Sequence, residues 1–117
     1  MLTALRWAAA ISAAGLIFMM LGPFQGAEQS VGLTDKPAHA IGFGVITAAL
    51  FLVTPRASRL QIALLALCIG GLIEIIQGAT GRSASLSDLA ADIVGITLVS
   101  ALWPHRPLVV PIPRQLP

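Results

Sequence analysis

The sequence predicts an all-α fold, an integral membrane bundle of four short transmembrane helices with both termini in the cytoplasm. Three observations carry that expectation. Of the 117 residues, 56% are hydrophobic and 10% charged, against about 45–50% apolar and about 25% charged in an ordinary soluble domain. The charges are bunched, so four stretches with at most one acid remain, each near the about 20 apolar residues that one helical crossing requires. Pro23, Pro37, Pro55 and Pro104 stand at the ends of those stretches and never inside them, where a missing amide donor costs least.

The same numbers exclude several classes. A mean hydropathy of +0.89 leaves too little polar side chain to coat a 12.1 kDa globule, which argues against a soluble enzyme. The net charge of +2 is too small and too scattered for a nucleic-acid footprint, so no nucleic acid is expected as a partner. No segment alternates apolar and polar residues over about ten positions, as a membrane β-strand would. Cys68 stands alone, so no internal disulfide forms, and it reads as a small buried hydrophobe.

Taken in order, the first stretch runs from Trp7 to Gly22 without a charge. Arg6 before it resembles the start of a secretory signal, but cleavage after Ala27 would put Gln25 where a small residue is wanted. The second stretch, Pro37 to Thr54, carries only His39; the third, Leu60 to Thr80, only Glu74; the fourth, Leu89 to Trp103, only Asp92. Residues 1–103 therefore form the bundle. Residues 104–117 hold five of the eight prolines and read as an extended cytoplasmic tail.

Basic residues favour the cytoplasmic side. An inward N-terminus puts Arg6, Arg56, Arg59, Arg106 and Arg114 inside and only Lys36 and Arg82 outside. The expected location is the inner (cytoplasmic) membrane, multi-pass, with Trp7 and Trp103 at the inner interface. On this topology the polar residues collect at the outer side. Glu28, Asp35 and Lys36 fall in or beside the first outer loop, and Arg82 in the second. His39 lies one turn into the second helix. Glu74 and Gln77 lie about 9 and 4.5 Å from the outer end of the third helix, and Asp92 about 6 Å below Asp88 in the fourth. Asp35 and His39, Glu74 and Gln77, and Asp88 and Asp92 are three or four residues apart, so each pair shares a helical face.

Acids at such depth need protein or water around them, which makes Glu74 and Asp92 the leading site candidates. Arg82 is the nearest counter-charge available to Glu74. Gly70, Gly71, Gly78 and Gly95 flank the two acids and allow the third and fourth helices to approach closely. Simple capping accounts for two others: Ser85 to Asp88 fits a capping box, and Asp35 before Lys36-Pro37 fits an N-cap. The second and fourth helices also align at an offset of 53 residues. Leu33-Thr34-Asp35 then matches Leu86-Ser87-Asp88, His39 meets Asp92 and Gly42 meets Gly95. Duplication or a restricted membrane alphabet both produce such a likeness.

The ordered set Asp35-Lys36-x-x-His39-x-x-x-Phe43, Glu74-x-x-Gln77 and Arg82-x-x-Ser85-x-x-Asp88-x-x-x-Asp92-x-x-Gly95 resembles the VanZ-like family of small polytopic membrane proteins. The likeness covers about residues 33–98. The family takes its name from an accessory protein of glycopeptide-resistance clusters associated with lowered teicoplanin susceptibility. The resemblance implies a cell-envelope role and gives no reaction. Asp92 stands where the family usually carries Asn, so a role requiring the amide is in doubt.

Five acids against two bases on one side imply either a protonated carboxylate or a bound cation, and the first, on Glu74 or Asp92, is the expectation. A metal held by His39, Glu74 and Asp92 is not expected, because neither a His pair nor a recognised ligand motif accompanies them; no cofactor is expected either. Three functions stay open. The first is a binding protein whose outward pocket, formed by Asp35, Lys36, His39, Glu74, Gln77, Arg82, Asp88 and Asp92, takes a membrane lipid head group, a cell-wall precursor or a glycopeptide antibiotic. The second is an intramembrane enzyme with His39 or Glu74 as catalytic base on a lipid-linked substrate, although no nucleophile motif is present. The third is a proton-coupled transport element, with a glycine-rich third helix that invites a homo-oligomer.

Overall fold

The computed structural model describes residues 1–24, 26, 30, 32, 34–82 and 84–104. Glu28, Leu33, Arg106, Arg114 and the rest of the proline-rich tail from residue 105 onward lie outside the described residues. Four helices follow one another: α1 (Leu2–Leu21), α2 (Asp35–Val53), α3 (Arg59–Ala79) and α4 (Leu86–Leu102). Among the described residues there is no strand. The first three are long and apolar enough to cross a membrane. α4 has 17 residues, about 26 Å of rise, a little short of the about 30 Å hydrocarbon core.

Local chemistry sets the helix ends. α3 opens with a capping box: the Ser58 hydroxyl accepts from the Gln61 amide, and the Gln61 side chain accepts from the Ser58 amide. This is the Ser-x-x-Gln signature, which the sequence reading passed over. α2 begins one residue earlier than an Asp35 cap would require. Thr34 is the cap and Asp35 is the first helical residue, where a carboxylate still meets the positive end of the helix dipole. Pro37 falls in that same first turn, whose amides lack helical partners anyway. Ser85 does cap α4, but its hydroxyl accepts from Ser87 and not from Asp88. Asp88 is buried instead.

The core is small: Phe43 and Ile46 of α2, Ala66 and Ile73 of α3, and Ile96 of α4, with Leu16, Ile17 and Met20 of α1 leaning on it. Around it stands an exposed apolar girdle. Trp7, Ile11, Leu60, Ile75 and Leu98 are each between 57% and 69% exposed. An outer surface of that kind is unstable in water and suited to lipid. Cys68 belongs to it: it is exposed on α3, contrary to the burial expected from its apolar neighbours, because in this chain apolar residues line the outside as well as the core.

α3 and α4 pack beside the carboxylates, as the glycine spacing predicts, but the tightest helix contact is between α2 and α4. A Cβ built on Gly95 would stand 2.0 Å from the Ala40 carbonyl oxygen, so only glycine permits this approach. Gly70 of α3 does face the polar cluster, its virtual Cβ lying 3.2 Å from Asp92 Oδ2, whereas Gly71 meets nothing within 4 Å.

Candidate functional site

Because the helices alternate in direction, the C-terminal ends of α1 and α3 and the N-terminal ends of α2 and α4 share one end of the bundle. The polar residues gather there. His39, one turn into α2, and Asp92, one turn into α4, are joined by a hydrogen bond of 2.8 Å between His39 Nδ1 and Asp92 Oδ1. Both are buried, Asp92 completely. On its other side the His39 ring approaches Asp35, with Nε2 3.8 Å from Oδ1. Asp88 joins this group: ligand atoms of Asp35, His39 and Asp88 lie within 4.8 Å of one another. The Ser85 amide hydrogen that a capping box would offer to Asp88 goes to Glu74 instead.

Glu74 reaches the site from α3. Its Oε2 accepts the Ser85 amide hydrogen at 2.8 Å, so the carboxylate sits at the N-terminal end of α4, where the helix dipole favours negative charge. Ligand atoms of Glu74, His39 and Asp92 also lie within 4.8 Å of one another. Among the described residues, two of these carboxylate oxygens are left over: Glu74 Oε1 and Asp92 Oδ2 are buried without a hydrogen-bond partner.

Arg82 does not serve as the counter-charge of Glu74. Its Nη1 donates to the carbonyl oxygens of Met20 at 2.7 Å and Gly22 at 2.5 Å, and Gln77 Nε2 donates to the same Met20 oxygen at 2.8 Å. Carbonyls at a helix C-terminus lack internal partners. Arg82 and Gln77 therefore fasten the end of α1 to α3 and its loop. Lys36 is exposed at the start of α2. The inward-facing set is thus His39, Glu74, Asp88 and Asp92, with Asp35 at its rim.

Beside Glu74 a groove of about 260 Å³ opens between α3 and the start of α4. Its walls are Ile75, Ala84, Leu86 and Leu89, and its polar residues are Glu74 and Ser85. Sequence reasoning missed the Ser85 amide because a backbone donor leaves no trace in residue type. Comparison with protein-family models, with curated proteins and with solved structures returns no match. The functional reading therefore rests on this chain's own chemistry and on the motif resemblance in its sequence.

Proposed function

We propose that this chain is a multi-pass integral protein of the inner (cytoplasmic) membrane, with four spans and both termini inside, whose outward polar end binds the head group of an envelope lipid or a lipid-linked cell-wall precursor. The observation that carries this reading is the pair of buried carboxylate oxygens on Glu74 and Asp92 that have no partner among the described residues, Glu74 itself lining a groove with apolar walls. The pair calls for a positive or hydrogen-donating partner. The groove matches the hydrocarbon part of the same molecule. α4 completes its crossing by local thinning of the bilayer, at a cost of fractions of a kcal/mol per Å of mismatch. The resemblance to VanZ-like proteins supports an envelope role and a glycopeptide-related phenotype of the teicoplanin type.

The test is lipid retention. Protein purified from membranes in mild detergent is expected to carry a stoichiometric envelope lipid or precursor, read by native mass spectrometry. Leu89→Trp, which fills the groove, and Glu74→Gln should each reduce that occupancy. Retention unchanged in both variants rejects the reading. A companion measurement grows a deletion strain against a panel of envelope-targeting antibiotics, where a teicoplanin-type role requires a shift in susceptibility.

One observation favours a second reading. The 2.8 Å bond from His39 to Asp92 has the form of a carboxylate orienting an imidazole base, as an acid–base enzyme on a lipid-linked substrate would need. Turnover of such a substrate abolished by His39→Ala would establish it, and binding without chemical change would discard it.

A further inference from the structure

The cluster of His39, Glu74 and Asp92 is unlike an ordinary buried ion pair, because it holds more acceptor than any donor around it satisfies. Asp92 has 0% and Glu74 8% relative exposure. In each carboxylate one oxygen is engaged, Asp92 Oδ1 by His39 and Glu74 Oε2 by the Ser85 amide, and the other has no partner among the described residues. The basic side chains near this end are employed elsewhere or outside: Arg82 on the α1 carbonyls, Lys36 exposed on the first turn of α2.

One ligand atom from each of the three residues lies within 4.8 Å of the other two. Donors around a single tetrahedral ion stand about 3.3 Å apart for bonds near 2.0–2.1 Å, so an ion here would draw the three side chains together and replace the hydrogen bond between His39 Nδ1 and Asp92 Oδ1. We propose that a divalent cation of the zinc or manganese class binds among His39, Glu74 and Asp92 and takes up the two unpartnered carboxylate oxygens. The donor set argues for that class. One imidazole nitrogen with two carboxylate oxygens is harder than the thiolate and thioether sets that select copper(I), while calcium and magnesium favour oxygen alone. The neighbouring Asp35, His39 and Asp88 group is the weaker candidate, since Asp35 is exposed to water.

The ion would neutralise the two carboxylates, and because three protein ligands leave coordination positions open, a head group would then meet the ion through an oxygen instead of meeting the carboxylate oxygens directly. Binding of the ion rests on the cluster alone and not on the lipid reading. The two fail separately, because the metal titration contains no envelope precursor.

The experiment uses the full chain, stripped of metal with chelator and placed in phosphatidylcholine nanodiscs. Zinc titrated by calorimetry should bind at one ion per chain. Asp92→Asn and Glu74→Gln should each weaken binding at least about tenfold, while Ser100→Ala, away from the cluster, should leave it unchanged. Manganese in the wild-type discs should show nitrogen coupling from an imidazole by pulsed electron paramagnetic resonance, and His39→Ala should remove it. Absence of one-to-one binding by the wild type, or absence of nitrogen coupling, overturns the proposal even if a variant fails to fold. So does wild-type affinity in both carboxylate variants.

Discussion

Single side chains here act through what they leave unsatisfied. Removing the ring in His39→Ala leaves Asp92 fully buried with neither oxygen partnered, and breaking a buried pair in this way costs about 3–5 kcal/mol. A melt followed by circular dichroism in detergent should show that loss, and Asp92→Asn added to His39→Ala should recover part of it, because a neutral amide is easier to bury. A similar contrast separates two glycines. Gly95→Ala drives a methyl group onto the Ala40 carbonyl oxygen, which a Cβ would meet at 2.0 Å, and should cost on the order of 1–3 kcal/mol as the helices shift. Gly71→Ala meets nothing within 4 Å and should be neutral or slightly stabilising in the same melt.

At the scale of whole helices, two arginines do the same task at opposite ends of the bundle. Arg82 holds the C-terminal carbonyls of α1, and Arg59 donates through Nη2 to the Trp103 carbonyl at the end of α4. There Trp103 also stacks on Phe51 of α2, with ring centroids 4.8 Å apart. α1 has no buried residue of its own, so its docking depends on such terminal bonds and on the sides of Leu16, Ile17 and Met20. Arg82→Ala should therefore loosen α1 selectively. Hydrogen exchange of the Gly22 amide, which closes the last turn onto Phe18, should quicken about tenfold, the effect of losing one net hydrogen bond of about 1–1.5 kcal/mol. Arg82→Lys should restore only part of the protection, since an ammonium lacks the planar guanidinium fork. Equal exchange at Gly22 in wild type and Arg82→Ala would show that α1 is held by packing alone.

For the molecule as a whole, the exposed apolar girdle sets the expected surroundings. Cys68, exposed midway along α3, should resist a water-soluble maleimide in intact membranes and react once detergent and denaturant strip the lipid. The proposed topology rests instead on the distribution of basic residues and is tested with engineered cysteines. In a Cys68→Ser background, a cysteine at Ala84 between α3 and α4 should label from outside the cell, and one at Ala57 between α2 and α3 only after the membrane is opened. Reversal of that pattern would turn the polar end toward the cytoplasm and remove the outward pocket.

Much of this architecture was legible from residue order. Three C-terminal ends fell two residues before a proline, at Pro23, Pro55 and Pro104. At the other ends, α1 starts at Leu2, ahead of Arg6 and not at Trp7, and α2 and α4 take Asp35 and Asp88 into their first turns, where the helix dipole accepts an acid. Depth was legible too: rise per residue placed His39, Glu74 and Asp92 near one end. The alignment of α2 with α4 even set His39 against Asp92 at an offset of 53, and those two residues are hydrogen-bonded across the same separation.

The chain by itself thus determined the number of helices among the described residues, their lengths to within about five residues and the end at which its ionisable groups collect, since these depend on hydropathy and helical rise alone. Tertiary structure decided the partners. Arg82 went to carbonyls of α1, Glu74 to the Ser85 amide, Asp88 inward to His39, and Gly95 to the α2 contact. The physical reason is that periodicity fixes which face a side chain occupies, whereas helix rotation and backbone groups without a side-chain signature decide what that face meets.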